Sequence, residues 1–315
     1  MSMKKVREIV GFDNFEVYNN SIVVQDKKGI CLVENNLELT PLVEGNIYSI
    51  QVLGNNLFYQ IDDALGLYLL EKGLILNKDS FYGLMSALMY NEYIYIEREN
   101  LQDEINTPIF LNTNSDFHFI SNAPEYCNFS YKQYLIRNNN RKKIFNCYQL
   151  NDKLWSYKHT DDSNIEILSG YKDKILIYSK SGDLFALDLQ TGGLCWRYPE
   201  PCFSHNSLYG DFIYTFNKSS LLEISAETGK LCRVMDMESI EKKEYFTLTA
   251  GIKAYDDYIF GRDVDGVVII IDRKSLTLKK ILRFDKHLIN RDHTLQWIHN
   301  RLYVQDIEYT LHIFE

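Results

Sequence analysis

The sequence predicts an all-β protein, a single β-propeller domain over residues 1–315 built of four-stranded blades. Three observations predict it. A phrase occurs twice, first as Leu184-Phe185-Ala186-Leu187-Asp188-Leu189-Gln190-Thr191-Gly192-Gly193-Leu194-Cys195. Its second copy, 37 residues on, is Leu221-Leu222-Glu223-Ile224-Ser225-Ala226-Glu227-Thr228-Gly229-Lys230-Leu231-Cys232. Strand-length apolar runs recur along the whole chain at similar spacing. Aromatic residues, mostly Tyr and Phe, make up 14% of the 315 residues, a share that favours strands over helices. A repeat of this period is one supersecondary unit that needs its neighbours to bury its face.

The elements follow in order. Lys5–Val10 is a strand-like segment ahead of the first repeat. Polar turns then lead into apolar runs at 20–24, 55–59, 91–95, 132–136, 173–177, 210–214, 256–260 and 300–304, which gives eight units. A second apolar run follows across a loop, as at 29–33, 66–70, 144–148, 184–187, 267–271 and 309–314. Between these hairpins lie two further short strands, for example 38–43 then 47–52, and 194–198 then 203–208, so each unit has four. Small antiparallel sheets repeated about every forty residues describe a propeller, whose blades pack face to face around a channel. The expected count is eight blades, with seven as the alternative if the irregular stretch 97–127 does not form a full one. The last unit ends at Glu315 short of a fourth strand. Pairing Lys5–Val10 as that strand closes the ring and hides both free edges.

Composition narrows the function classes. The formal charge of −9 argues against a nucleic-acid partner, which calls for a basic surface, and suits attraction to a basic protein. No stretch approaches the length of a membrane span and residues 1–11 have no signal-peptide core, so no membrane partner and a cytoplasmic location are expected. Cys31, Cys127, Cys147, Cys195, Cys202 and Cys232 form no Cys-x-x-Cys pair, so neither zinc nor a disulfide framework is expected.

The segment Ala186-Leu187-Asp188, Thr191-Gly192 and Trp196 resembles the repeat signature of the pyrroloquinoline-quinone-type (PQQ-like) propeller family, Ala-x-Asp-x-x-Thr-Gly-x-x-x-Trp. The full signature occurs once. The next unit keeps Thr228-Gly229 but has Ser225 for Asp and Arg233 for Trp; the one after keeps Asp272 and has Ser275-Leu276 for Thr-Gly; an earlier unit keeps Trp155-Ser156-Tyr157. The resemblance covers the second half of the chain. It implies that Trp196 packs between neighbouring blades and that Asp188, Thr191 and Gly192 are structural. The family holds quinone-dependent dehydrogenases and also cofactor-free scaffolds such as an outer-membrane assembly lipoprotein; the metal and quinone site of the enzymes has no counterpart in these residues, so no cofactor is expected.

Catalytic candidates are few. His118, His159, His205, His287, His293, His299 and His312 are scattered without metal-ligand spacing. Asp263-Val264-Asp265-Gly266 has the start of a calcium loop without its later Glu. Trp155, Trp196 and Trp297 fit blade packing better than ligand stacking. The paired acids Asp62-Asp63, Asp161-Asp162 and Asp256-Asp257 fit solvated turns better than acid-base chemistry. No catalytic or metal-binding residue is assigned.

The loops between second and third strands carry more information. Asp62, Asp63, Glu97, Glu99, Asp103, Glu104, Asp263, Asp265, Asp306 and Glu308 make the loops of blades two, three, seven and eight acidic. Arg137, Arg141, Lys142, Lys143, Lys180 and Lys218 make those of blades four to six basic, and Lys27 and Lys28 interrupt the acidic arc. One face is therefore expected to be electrically lopsided and to steer a protein partner. The expected partner-binding residues are Asp62, Asp63, Asp103, Glu104, Asp263, Asp265, Asp306 and Glu308. Small propellers rich in Asn, Ile, Lys and Tyr resemble immunity proteins of bacterial competition, which implies a basic toxin domain as the partner. An enzyme using the channel for a small or sugar-like substrate, as a lyase, hydrolase or oxidoreductase, is the alternative.

Overall fold

In the computed structural model of the chain, the described residues are 3–18, 21–26, 28–53, 56–61, 64–69, 74–78, 84–90, 93–100, 105–112, 119–122, 129–139, 142–149, 152–160, 164–202, 206–217, 220–244, 251–263, 265–289 and 294–315; within 69–128 only the backbone is described. Strand β1 (Lys5–Val10) precedes the first sheet. Sheet one joins β2 (Asn14–Tyr18), β3 (Ser21–Asp26), β4 (Gly29–Val33) and β5 (Leu39–Glu44) in chain order. Sheet two joins β6 (Ile47–Leu53), β7 (Asn56–Ile61), β8 (Ala64–Leu69) and β9 (Leu74–Lys78). Sheet three, the unit least regular in sequence, joins β10 (Leu84–Tyr90), β11 (Tyr93–Asn100), β12 (Ile105–Asn112) and β13 (Phe119–Asn122). Sheet four joins β14 (Phe129–Tyr131), β15 (Tyr134–Asn139), β16 (Ile144–Gln149) and β17 (Asp152–Lys158). Sheet five joins β18 (Ile165–Tyr171), β19 (Lys174–Ser179), β20 (Leu184–Asp188) and β21 (Leu194–Arg197). Sheet six joins β22 (Ser207–Tyr209), β23 (Phe212–Asn217), β24 (Ser220–Ser225) and β25 (Leu231–Asp236).

A short helix, α1 (Glu238–Glu244), follows β25; the sequence reading anticipated none. Its glutamates lie in the first turn and its lysines in the last, which suits the helix dipole, and the Asp236 carboxylate accepts the Glu238 amide at 2.9 Å. Sheet seven joins β26 (Gly251–Ala254), β27 (Tyr258–Arg262), β28 (Val267–Asp272) and β29 (Thr277–Arg283). The last sheet joins β30 (Leu295–Ile298), β31 (Arg301–Gln305) and β32 (Thr310–Phe314), and its fourth strand is β1, paired antiparallel with β32. Lys4 and Glu315 exchange backbone hydrogen bonds of 2.7 and 3.0 Å, which ties the two chain ends together.

First strands of neighbouring sheets touch one another, β2 with β6, β6 with β10, β10 with β14, β18 with β22 and β22 with β26, and so line the middle of the molecule. Apolar residues fill the spaces between sheets. Ile9, Leu311 and Ile313 of the last sheet pack with Phe15, Ile22 and Val24 of the first. Phe260, Val268 and Ile270 of sheet seven pack with Leu295, Leu302, Val304 and Phe314 of the last. This is the β-propeller arrangement: second and third strands such as β19 and β28 bury side chains on both faces, because a sheet lies on either side.

The signature residues join one sheet to the next. Asp188 Oδ1 accepts the Gln190 amide at 3.1 Å, the Thr191 amide at 2.7 Å and the Thr191 hydroxyl at 2.7 Å, which fixes the turn between β20 and β21. Asp272 holds Ser275 in the same way, and those hydrogen bonds lower its pKa to about 2. Trp196 is 9% exposed; its ring lies over Gly229 and its indole N–H donates to Ala226 O at 3.1 Å. Any side chain on Gly229 would drive a Cβ to 2.5 Å from that ring. Trp155 lies likewise on Gly192 and donates to Leu189 O at 2.9 Å. One sheet on, Arg233 occupies the position and donates to Arg273 O and Lys274 O, while Lys280 of sheet seven donates to Met3 O. Sequence departs from Trp at these two places, yet each still sends an N–H donor to a backbone carbonyl of the neighbouring sheet. Trp297 packs against Phe260 and Tyr258 at ring separations of 5.5 and 5.3 Å.

No disulfide links Cys31, Cys147, Cys195, Cys202 or Cys232, which are free; Cys127 lies outside the described residues. Burial pushes the Cys147 thiol up to about 12 and Cys202 to about 11. No helix among the described residues is long and apolar enough to cross a membrane.

Candidate functional site

Among the described residues, loops between second and third strands share one feature, a side-chain oxygen at the start that bonds loop amides. Four of them read Asp26-x-x-Gly29, Ser179-x-x-Gly182, Asp263-x-x-Gly266 and Asp306-x-x-Tyr309. In each, the opening oxygen side chain caps the loop's own amides. Asp26 Oδ1 accepts from Lys28 and Gly29 at 2.7 and 2.9 Å, and Ser179 Oγ from Asp183 at 2.9 Å. Asp263 Oδ1 accepts from Val267 at 2.8 Å, and Asp306 Oδ1 from Glu308 and Thr310 at 2.9 and 3.0 Å. These are side-chain turns of the kind short oxygen-bearing residues favour.

That construction corrects part of the expected partner-binding set. Asp263 and Asp306 are each only 2% exposed, so their carboxylates serve the loops from inside and do not face a partner. Burial raises the Asp263 pKa despite the Val267 amide. Asp306 Oδ2 lies 2.8 Å from His312 Nε2, and His312 Nδ1 lies 3.1 Å from Glu8 Oε1, so this buried His bridges β32 to the N-terminal strand. Asp265 and Glu308 are exposed. Asp265 lies 3.5 Å from His287 Nδ1, and Glu308 pairs with Lys286 at 2.6 Å. Asp62, Asp63, Asp103 and Glu104 lie outside the described residues.

Of the basic loop residues, Lys142 and Lys180 are exposed and Arg137 and Lys143 half-buried; Arg141 and Lys218 lie outside the described residues. Asp257, one of the paired acids, bonds Lys274 at 3.1 Å, and Asp256 accepts the Tyr209 hydroxyl, so both serve contacts between or within sheets. Asp161 and Asp162 lie outside the described residues. Among the described residues no group of three or more His, Cys, Asp or Glu is placed to hold a metal ion.

A cavity of about 220 Å³ between the first strands of sheets five to seven is lined by Ile167, Ser169, Tyr178, Asn206, Ile252 and Lys253, among others. Its Tyr178 hydroxyl donates to Glu166 at 2.5 Å. Both polar atoms of the Asn206 amide are buried with no hydrogen-bond partner among the described residues. Burial pushes the Glu16 carboxyl, on β2, up to about 7.

Sequence reasoning missed a cluster of exposed apolar side chains beside the Asp306 loop. Val10 at the end of β1 is 70% exposed, Ile307 50% and Tyr309 46%. The signal lay in the fourth position of the shared loop, where Tyr309 stands in place of glycine.

No protein-family model matches the sequence, and no curated protein matches it. Solved structures do. The crystal structure of BamB from Moraxella catarrhalis aligns over 100% of this chain and 98% of its own, with a TM-score of 0.66 and 14% identity. The C-terminal WD40 domain of Sif2 aligns over 99% and 97%, with a TM-score of 0.66 and 14% identity. Sqt1 of Saccharomyces cerevisiae aligns over 100% and 99%, with a TM-score of 0.65 and 9% identity. At these identities the likeness is one of fold, and the fold is a β-propeller.

Proposed function

We propose that this chain is a non-catalytic, protein-binding propeller. In this reading residues 1–315 form one domain, a closed ring of eight blades with β1 as the outer strand of the last. Its loop face engages a basic protein, and in the finest form of the reading that protein is a cognate toxin domain which the chain neutralises. The observation that carries the proposal is the exposure of Asp265 and Glu308 in the loops of sheet seven and the last sheet, and of Lys142 and Lys180 in those of sheets four and five, in a chain of net charge −9. Loops on a rigid scaffold suit recognition, and the propellers it resembles in fold include WD40 domains.

The test is affinity capture from the native cell at low and high salt, repeated with Asp265→Lys/Glu308→Lys. A basic protein retained at low salt and lost with the reversals supports the reading; retention unaffected by charge reversal defeats it. Growth arrest by the captured protein alone, relieved when this chain is co-expressed, supports the toxin form.

A second reading, an enzyme or small-molecule binder using the channel, has one observation in its favour, the Asn206 amide at the 220 Å³ cavity, which has no hydrogen-bond partner among the described residues. A thermal-shift screen of small polar metabolites, with Asn206→Leu as control, tests it.

A further inference from the structure

We infer that the cavity between the first strands of sheets five, six and seven is a binding site for a small oxyanion that also carries a hydroxyl group, such as a hydroxy acid or a phosphorylated polyol. The inference leaves the protein-binding reading untouched. It rests on the second, small-molecule reading, to which it gives the ligand's chemical class.

Placement comes first. The lining includes Ser169 on β18, Tyr178 on β19, Ser207 on β22, Lys253 on β26 and Asn206 immediately ahead of β22. Three successive sheets therefore converge on one space, and radial packing brings together residues that lie about one repeat apart in the chain. At about 220 Å³ the space is smaller than the roughly 300 to 1,000 Å³ of sites that take drug-sized molecules, so it suits a small metabolite and not a peptide.

Unused hydrogen-bonding capacity selects the ligand's polar groups. Both polar atoms of the Asn206 amide are buried with no partner among the described residues, a costly arrangement that a bound partner relieves. Ser207, 9% exposed, accepts the Ala254 amide on Oγ at 2.9 Å, and its own O–H has no acceptor among the described residues. Lys253 is half-buried and makes no ion pair or hydrogen bond among the described residues. The amide N–H₂ of Asn206, the Ser207 hydroxyl and the Lys253 ammonium are thus donors in want of an acceptor, whereas Asn206 Oδ1 is an acceptor in want of a donor. An anionic oxygen cluster meets the donors, and one hydroxyl meets Oδ1.

Charge selects the sign. Among the described residues Lys253 is the one charged side chain in the lining, set among Ile167, Leu168, Leu208 and Ile252. Glu166, also on β18, does not line the cavity and is already engaged: it accepts the Tyr178 hydroxyl at 2.5 Å and lies 4.0 Å from Lys180 Nζ. A cleft with one uncompensated ammonium and apolar walls draws an anion and disfavours a cation.

Isothermal titration calorimetry of the full chain tests this with four sets of probes: the carboxylates acetate, glycerate and gluconate, the phosphate ester glycerol phosphate, the neutral polyols glycerol and glucose, and the cations ethanolamine and glucosamine. Glycerate, gluconate and glycerol phosphate are expected to bind, more weakly as salt rises, and the neutral and cationic sets are expected not to. The tighter of the carboxylates and the phosphate names the head group. Affinity should fall about tenfold or more in Lys253→Gln and in Asn206→Asp, which keeps the amide's shape and adds a negative charge, and stay unchanged in Lys153→Gln on the exposed outer strand of sheet four. Should Asn206→Asp not fold, Lys253→Gln decides alone. Anions that bind every variant equally lie elsewhere, which overturns the inference, and acetate binding as tightly as glycerate overturns the hydroxyl's part in it. Preference for neutral or cationic probes, lost in Asn206→Leu, overturns the oxyanion class and leaves the small-molecule reading standing. Silence from all four sets overturns the inference; a hit in the wider metabolite screen that Asn206→Leu abolishes then keeps the small-molecule reading, and no hit there defeats that reading too.

Discussion

Replacing Trp196 with Ala removes a side chain that is 9% exposed, stacked on Gly229 and bonded to Ala226 O at 3.1 Å. Truncating a buried Trp costs about 3 to 5 kcal/mol through lost transfer energy and the cavity left behind. Trp196→Phe keeps much of the ring and loses the donor, so about 1 to 2 kcal/mol is expected from it. If the ring melts as one unit, an unfolding entropy of roughly 2 cal/mol/K per residue turns the Ala loss into a fall of roughly 5 to 8 °C. Differential scanning calorimetry of parent, Trp196→Phe and Trp196→Ala should show melting temperatures descending in that order. A Trp196→Ala melt equal to the parent would refute the claim that this indole holds sheet five to sheet six.

Three further outcomes are expected. Arg233→Met leaves Glu223, only 2% exposed, with an uncompensated charge, so a loss of about 3 to 5 kcal/mol is expected in urea unfolding. Adding Glu223→Leu should recover most of it, and failure to recover would show that the carboxylate is not the source of the loss. Burial raises the folded-state pKa of Glu16 to about 7 from the ordinary glutamate value of 4.5, so the folded state holds the proton more tightly and stability falls as pH rises between those values. Glu16→Gln should therefore match the parent near pH 4.5 and exceed it by up to about 3 kcal/mol above pH 7; parallel urea midpoints from pH 4.5 to 8 would contradict this. Tyr309 has a φ of 60°. In Tyr309→Gly, about 1 to 2 kcal/mol of left-handed strain is relieved and about 0.5 to 1 kcal/mol of chain entropy lost, so the unfolding midpoint should equal or exceed the parent's. A clear fall would show that the ring is needed for folding.

How much was legible in the sequence depended on whether chemistry and residue type coincide. The strand pattern and the Asp188–Thr191–Gly192–Trp196 unit were readable, because a turn capped by Asp and left by Gly has few other solutions. Arg233 and Lys280 were hidden, since each keeps the N–H donor while changing the side chain that carries it. Asp263 and Asp306 read as surface charge because an acid in a loop resembles a solvated one; only the fold shows the carboxylate turned inward onto loop amides. The spacing Asp26–Gly29, Ser179–Gly182 and Asp263–Gly266 held that information, and it also marks Tyr309 as the departure. Helix α1 was missed because seven residues with no buried side chain carry no periodic apolar signal.

Radial closure is tested most directly by circular permutation. Lys4 and Glu315 are hydrogen-bonded to each other, so a short Gly-Ser linker joining them should complete the turn between β32 and β1. New termini can open at the exposed turn between Lys132 and Gln133, which joins β14 to β15. A closed ring has no privileged end, and the permutant is predicted to keep the parent's near-ultraviolet circular dichroism and a single cooperative melt. A permutant that is soluble only when unfolded, or that melts in separate stages, would contradict the closed ring and the loop face built on it.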